Sequence, residues 1–321
     1  MKVRISPLQW LGFTIFIIFM AWSFVSDLLI QKPIPRAPVI TSHNSSMTSL
    51  WVRTDYLMDS SDHTQMIALG NKLFIIGSAS DKELPRLIAL DVYTGNIIWQ
   101  YGDANVNVLA ISETILFVGQ VGQVVALNPD NGTGVWSKSL PFSRSVTKLL
   151  VRDNMLYVDT VGGNHVILDA ETGNILQEIA YTVDNAPNND IPVWSDKNMN
   201  LEFVGNIMYF QKQTGYPDYK GEIIALDEFS RNQIWSSGPL SAATRIAASP
   251  LGVFVLGLDG KLLRFSPTDG AKDPIIQFEP APILRHEDGW VYGYHVAVDS
   301  DNQLLFVYLG DSAQLFAFHI Q

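Results

Sequence analysis

The stretch that decides the fold is Ala89-Leu90-Asp91-Val92-Tyr93-Thr94-Gly95-Asn96-Ile97-Ile98-Trp99. It reads as an apolar strand, a polar turn around Asp-x-x-Thr-Gly and a second strand that opens near Ile-Ile-Trp. The Asp and Thr side chains are suited to hydrogen-bond turn amides, and the Gly supplies a positive φ at no steric cost. The phrase returns as Ala126-Leu127-Asn128 through Gly132 to Trp136. A third copy, Ile167-Leu168-Asp169 through Gly173 to Gln177, has lost the tryptophan. A fourth, Ala225-Leu226-Asp227 to Trp235, has Arg231 in place of the glycine. A fifth, Arg264-Phe265-Ser266 to Gly270, has Pro274 in place of the tryptophan, and a sixth survives only as Leu315-Phe316-Ala317-Phe318.

Counted from Ala89, the matching positions of successive phrases, the last at Ala317, are 37, 41, 58, 39 and 53 residues apart. Intervals of that size suit four-stranded blades with insertions in two of them. A hairpin strand precedes each phrase: Lys72–Ile76, Ile115–Gly119, Met155–Val158, Ile207–Phe210, Val253–Leu256 and Leu304–Tyr308. The sequence therefore predicts an all-β fold, a β-propeller of about six four-stranded blades over residues 47–321, or seven if an insertion conceals a degenerate one. The chain ends at Gln321, just after the first strand of the sixth phrase, so the last blade lacks its outer strand. Ser49-Leu50-Trp51-Val52-Arg53-Thr54, a Trp-bearing strand with no blade of its own, is expected to fill that place as a clasp, because an unclosed ring would leave a raw sheet edge.

The N-terminus is of another kind. No residue from Ile5 to Ser26 is charged, and Trp10 to Trp22 is almost wholly apolar. A stretch of ~20 such residues spans a ~30 Å hydrocarbon core, with Trp10 and Trp22 near its ends where indoles favour the headgroup layer. Residues 1–30 are read as a transmembrane anchor, touching the membrane through residues 5–30. The apolar run is longer than that of a cleaved signal and is followed by no A-x-A-like site. The first charge lies close to the N-terminus, which favours a cytoplasmic N-terminus and an exported, extracytoplasmic domain. Residues 31–46, with Pro33, Pro35 and Pro38, read as a linker.

The chain of 321 residues has a formal net charge of −11; residues 1–36 hold four basic residues and one acid, so the remainder stands at −14. A domain that acidic repels phosphate backbones, which excludes nucleic acid as a partner. There are no cysteines, hence no thiolate nucleophile, disulfide or Cys-ligated metal.

The phrase Ala-Leu-Asp-x-x-Thr-Gly-x-x-x-Trp resembles the tryptophan-docking repeat of pyrroloquinoline-quinone-type propellers, over residues 47–321. The resemblance implies a blade-holding role for Gly95, Trp99, Gly132, Trp136, Gly173 and Trp235. It covers both quinoprotein dehydrogenases and scaffolds that bind no quinone, such as the propeller lipoprotein of outer-membrane assembly. Quinoprotein alcohol dehydrogenases typically have about eight blades, a vicinal cysteine pair against the quinone and an acidic base beside Ca²⁺; this chain departs in blade count and in having no cysteine. Six-bladed sugar dehydrogenases lack the cysteine pair, so pyrroloquinoline quinone with Ca²⁺ stays an alternative cofactor.

No catalytic or metal-binding residue is assigned from the sequence, and the cofactor-binding residues are unknown. The densest polar cluster is Arg285-His286-Glu287-Asp288-Gly289-Trp290, followed by Tyr292, Tyr294 and His295. His286 with Glu287 or Asp288 has the makings of an acid–base pair or a metal ligand set, but the plainer reading is a polar loop leading into a strand Trp290–His295. The insertion Tyr181 to Asp190 is rich in oxygen donors without the spacing of a calcium loop; it reads as surface loop. Asp299-Ser300-Asp301-Asn302 reads as a β-turn. There is no P-loop, Gly-x-Gly-x-x-Gly or Gly-x-Ser-x-Gly. The expectation is a non-enzymatic, membrane-anchored scaffold that binds a protein through the loops around 181–200 and 279–292. The alternatives are a quinone-dependent dehydrogenase with its site on the axis, or a ligand- or polysaccharide-sensing module presenting Trp194 and Trp290.

Overall fold

The computed structural model describes residues 39–43, 47–54, 57–58, 66–78, 86–102, 106–141, 145–161, 163–179, 199–213, 220–242, 244–279, 281 and 293–320. All belong to one of two compact units, residues 37–321; the other, 1–36, which holds the segment read as an anchor, lies outside the described residues. Among the described residues no helix is long and apolar enough to cross a membrane.

Every described element is a strand, and the strands form six antiparallel sheets. Strands β1 (Val39–His43) and β2 (Met47–Arg53) come first in the chain but serve the last two blades. Blade 1 holds β3 (Leu57–Met58), β4 (Met66–Leu69), β5 (Lys72–Ser78), β6 (Arg86–Asp91) and β7 (Ile97–Tyr101). Blade 2 holds β8 (Val108–Ile111), β9 (Leu116–Gln120), β10 (Gln123–Leu127) and β11 (Gly134–Ser139). Blade 3 holds β12 (Val146–Arg152), β13 (Met155–Thr160), β14 (His165–Asp169) and β15 (Ile175–Ile179). Blade 4 holds β16 (Met199–Val204), β17 (Ile207–Gln213), β18 (Lys220–Asp227), β19 (Gln233–Ser236) and the short β20 (Leu240–Ser241). Blade 5 holds β21 (Ala247–Ser249), β22 (Gly252–Leu256), β23 (Lys261–Phe265) and β24 (Lys272–Glu279). Blade 6 holds β25 (Tyr294–Asp299), β26 (Leu304–Leu309) and β27 (Gln314–Ile320).

The expected clasp is present: β2 pairs antiparallel with β27, from Met47 opposite Ile320 to Arg53 opposite Leu315. Ahead of it, Val39–His43, inside the stretch read as a linker, pairs with β24 as a fifth strand of blade 5. The reading of residues 31–46 as linker throughout is corrected there. Its short Val-Ile-Thr run is β-prone, and β24 offers it an apolar edge in which Ile275, Ile276 and Phe278 are buried.

The repeat phrase has a packing explanation. In four blades an aromatic residue, an alanine and a tryptophan lie directly opposite one another on neighbouring strands: Phe74–Ala89–Trp99, Phe117–Ala126–Trp136, Tyr209–Ala225–Trp235 and Phe306–Ala317–Trp51. The small alanine in the middle lets the two rings meet over it, with centroids 5.7, 5.8, 5.8 and 6.1 Å apart. In blades 3 and 5, where the tryptophan is replaced by Gln177 or Pro274, the alanine is replaced as well, by Ile167 or Arg264.

Each tryptophan then reaches the next blade. The indole Nε1 of Trp51, Trp99, Trp136 and Trp235 donates to the carbonyl of Val92 (2.8 Å), Pro129 (3.1 Å), Ala170 (3.1 Å) and Pro267 (2.9 Å) respectively. Its ring lies flat on the turn glycine of that blade. A Cβ on Gly132, Gly173 or Gly270 would stand 2.8, 2.7 or 2.7 Å from the docked indole. The glycine is therefore required twice, for its positive φ and for the absent side chain.

The two seams without tryptophan are joined differently. Between blades 3 and 4, Gln177 takes the tryptophan position and Arg231 the glycine position, so both halves of the lock are missing together. Arg231 keeps the left-handed conformation, φ 60°, and the seam is held by Arg152, which pairs with Glu228 at 2.5 Å and lies 4.9 Å above the Phe203 ring. Between blades 5 and 6, a tryptophan at Pro274 would have no turn to dock on, because the third and fourth strands of blade 6 come from opposite ends of the chain. Phe278 packs instead on Phe316 and Phe318, at 5.5 and 6.4 Å.

This pairing predicts opposite outcomes for two substitutions at the same turn position. Gly173→Ala forces a Cβ into Trp136 at a left-handed φ and should cost about 2 kcal/mol or more. Arg231→Gly relieves a left-handed side-chain residue where no indole arrives and should leave stability unchanged or raise it by up to about 1 kcal/mol. Denaturant unfolding of the two variants checks this; equal losses would contradict it.

Candidate functional site

Antiparallel topology sorts the connections onto two rims. On one lie the hairpins between the first and second strands of each blade and the repeat-phrase turns between the third and fourth. These turns are short and internally bonded: Asp91 accepts from the amides of Tyr93 (3.1 Å) and Thr94 (2.8 Å), and Asp169 and Asp227 do the same for Thr172 and Ser230. Bonds from Thr172 and Ser230 hold the Asp169 and Asp227 carboxyls below their ordinary pKa. On the other rim lie the links between blades and between the second and third strands. The two long insertions leave and rejoin the fold here, from Ile179 to Met199 and from Glu279 to Tyr294.

The innermost strands of the six blades enclose an axial channel of about 400 Å³. Blades 1 and 2 give it an apolar wall that includes Met66, Ile67, Leu109 and Ile111. Blades 3 to 6 contribute Lys148, Glu202, Arg245 and His295, one from each. Lys148, Arg245 and His295 hold the same register, each four residues before the end of its inner strand (Arg152, Ser249 and Asp299). They therefore sit toward the loop rim, with Glu202 two residues nearer the opposite rim on its own strand.

The backbone around Arg245 is fixed from both sides. Gln211 of blade 4, itself buried, donates through Nε2 to the Thr244 carbonyl (2.9 Å) and accepts from the Ile246 amide (2.8 Å), while the Thr244 hydroxyl accepts from the Leu256 amide (3.0 Å). Burial pushes the Glu202 carboxyl up from its ordinary 4.5 to about 7, against the opposing pull of Arg245 and Lys148.

Of the residues singled out in the sequence, His286, Glu287, Asp288, Trp290, Tyr292, Trp194 and the 181–190 insertion lie outside the described residues. The strand expected at Trp290–His295 is described only from Tyr294, where β25 begins and runs on to Asp299. Tyr294 is buried and His295 lines the channel. Asp299 closes a turn as expected: it accepts from the amides of Asp301 and Asn302, while Asn302 donates to its other oxygen (2.7 Å) and to the Gly70 carbonyl of blade 1 (2.5 Å). Sequence reasoning missed the channel set, whose members come from four different blades. It also missed the buried pair of His165 Nδ1 and Asp159 Oδ1 at 2.7 Å, directly opposite each other across β13 and β14; in the sequence the two are separated by five residues that include two glycines, the available signal for a hairpin.

A family model described as outer membrane protein assembly factor BamB matches residues 86–237, from β6 in blade 1 to the end of β19 in blade 4. The crystal structure of BamB from Moraxella catarrhalis superposes with a TM-score of 0.50 at 15% identity, covering 85% of this chain and 100% of that one. A chain in the crystal structure of a mitotic checkpoint complex superposes with a TM-score of 0.60 at 13% identity, covering 90% and 96%. No curated protein sequence matches. The docking repeat, the six blades and the matched family model make this chain similar to the pyrroloquinoline-quinone-type repeat β-propellers.

The raised Glu202 value has a consequence for stability. A folded-state pKa above the unfolded one means that folding favours the protonated carboxyl, so the fold is penalised as pH rises from about 4.5 through 7, by up to about 3 kcal/mol. Glu202→Gln should therefore be more stable than the parent at pH 8 and indistinguishable from it near pH 4.5. Thermal unfolding across that range decides it; a difference that does not change with pH would contradict the assignment.

Proposed function

We propose that this protein is a non-enzymatic scaffold, membrane-anchored through residues 5–30 and exported, which binds another protein over its loop rim. The observation that carries the reading is the asymmetry of the rims. One is made of short turns that bond to themselves and to the next blade, and the other is where the two links that exceed the structural minimum leave and rejoin the sheets, from Ile179 to Met199 and from Glu279 to Tyr294. Length beyond what a fold requires is where recognition concentrates. The matching family model is that of an outer membrane protein assembly factor, which agrees in kind.

A photo-cross-linking residue at Val121 or Val161, both exposed at connections on the loop rim, should trap one discrete protein in the native membrane. The same residue at Phe229, exposed on the turn rim, should trap none. Equal labelling from both rims, or none from the loop rim, would contradict the scaffold.

A second reading is favoured by the mixed basic and acidic lining of the channel: an anionic quinone cofactor on the axis. Titration with pyrroloquinoline quinone and Ca²⁺, followed by thermal unfolding and quinone absorbance, separates the two. The scaffold predicts no shift; saturable binding with a raised midpoint would establish the quinone reading.

A further inference from the structure

The turn of blade 2 on which Trp99 docks contains the one Asn-Gly pair of the chain, Asn131-Gly132. A glycine that follows asparagine has no side chain to crowd its backbone nitrogen, so the pair can react with itself. The Gly132 nitrogen gives up its proton and attacks Cγ of Asn131, the Cγ–Nδ2 bond breaks and ammonia leaves. Water then opens the resulting succinimide at either carbonyl, giving aspartate or isoaspartate. The positions that match Asn131 in the other glycine-bearing phrases are Thr94, Thr172 and Asp269. Threonine has no side-chain carbonyl to attack. A bond from the Ser266 side chain holds the Asp269 carboxyl below its ordinary pKa, in the ionised form that resists a nucleophile.

In the folded ring the electrophile is prepared and the nucleophile restrained. Asn131 is exposed, and its Oδ1 accepts from the Thr133 amide (3.0 Å) and hydroxyl (2.7 Å). Those two donors stabilise the charge that develops on this oxygen during attack. The Gly132 amide, by contrast, donates to the Asn128 carbonyl (2.9 Å), and the Trp99 indole covers Gly132 so closely that a Cβ there would stand 2.8 Å from it. Trp99 Nε1 donates to Pro129 in the same turn, and Lys72 of blade 1 pairs with Asp130 at 2.8 Å. While blade 1 sits on the turn, the Gly132 nitrogen is not free to swing towards Asn131 Cγ.

We infer that Asn131 is a deamidation site gated by the seam between blades 1 and 2, converting only when the Trp99 indole has lifted from Gly132. Local openings of this kind occur without global unfolding. Isoaspartate places an extra carbon in the backbone of a turn that the indole fits closely, so Trp99 does not dock again and a passing opening becomes permanent.

The test ages the full-length protein in detergent, in mildly alkaline heavy-oxygen water, and follows the peptide containing Asn131 by mass spectrometry and isoaspartyl methyltransferase labelling. The folded parent should convert at least about tenfold more slowly than the same chain unfolded in urea, a ratio set by the free energy of opening. Trp99→Phe keeps a ring but loses the bond to Pro129, and should speed conversion in the folded protein about fivefold or more. Trp136→Phe makes the same change at the next seam, over Gly173, and should leave the Asn131 rate unchanged; thermal midpoints confirm that both variants are folded. Hydrogen exchange of the Gly132 amide in the parent needs no variant: low denaturant should raise its exchange and the Asn131 conversion in parallel. Equal conversion folded and unfolded, an unchanged rate in Trp99→Phe, equal acceleration by both variants, or conversion that does not follow Gly132 exchange overturns the inference.

Discussion

A ring of sheets is stable only if it closes, and here closure falls to the two ends of one chain. Blade 6 takes three strands from the C-terminus and its fourth, β2, from residues 47–53. The seam this creates is held by side chains from both ends of the chain. Trp51 donates to Val92 and lies on Gly95, and Arg53 donates to the Gly95 carbonyl. Asn302 donates to Gly70 and accepts from the Tyr93 hydroxyl. Each such bond contributes about 1 kcal/mol net, but the larger effect is topological. Without β2 the edge of β27 would face water and the indole site on blade 1 would stand empty, leaving two sheet faces uncovered at once.

The same logic orders the other seams. Tryptophan, alanine and glycine are three parts of one lock spread over two blades, so losing one part removes the constraint that keeps the others. Blades 3 and 4 show this directly: without a tryptophan at Gln177, Ile167 replaces the alanine and Arg231 replaces the glycine. Among the described residues the buried cluster there, around Leu201, Met208 and Phe210, is the smallest, while that spanning blades 5 and 6 is the largest. The ring is therefore uneven. Its seam between blades 3 and 4 relies on a partly exposed Arg152–Glu228 pair, and partly exposed pairs contribute little.

Much of this was legible in the sequence because the lock is local. Asp-x-x-Thr-Gly and the following Trp lie within one phrase, and six hairpins precede six phrases. Trp51 was legible as a clasp because it belonged to no blade of its own. The alanine was visible but unexplained, since its reason is a contact between strands on either side of it. Strand β1 escaped because five residues beside Pro38 carry too little periodicity to stand out from a linker. The channel escaped for a different reason. Lys148, Glu202, Arg245 and His295 are solitary polar residues in four separate strands, and only closure of the ring brings them to one cavity. The same closure would place the loop rim, and any partner on it, around that cavity.

The claim that the N-terminal strap closes the ring is tested most directly by moving it. One chain begins at residue 57 and stops at 321; a second begins at 57, continues past 321 through a short Gly-Ser linker and ends with residues 37–54. The account predicts that the second unfolds in one cooperative transition with a midpoint within a few degrees of the parent domain. The first should melt broadly or at least about 10 °C lower. If the chain without the strap proved as stable and as cooperative as the permuted one, closure through β2 would not be what holds the propeller together.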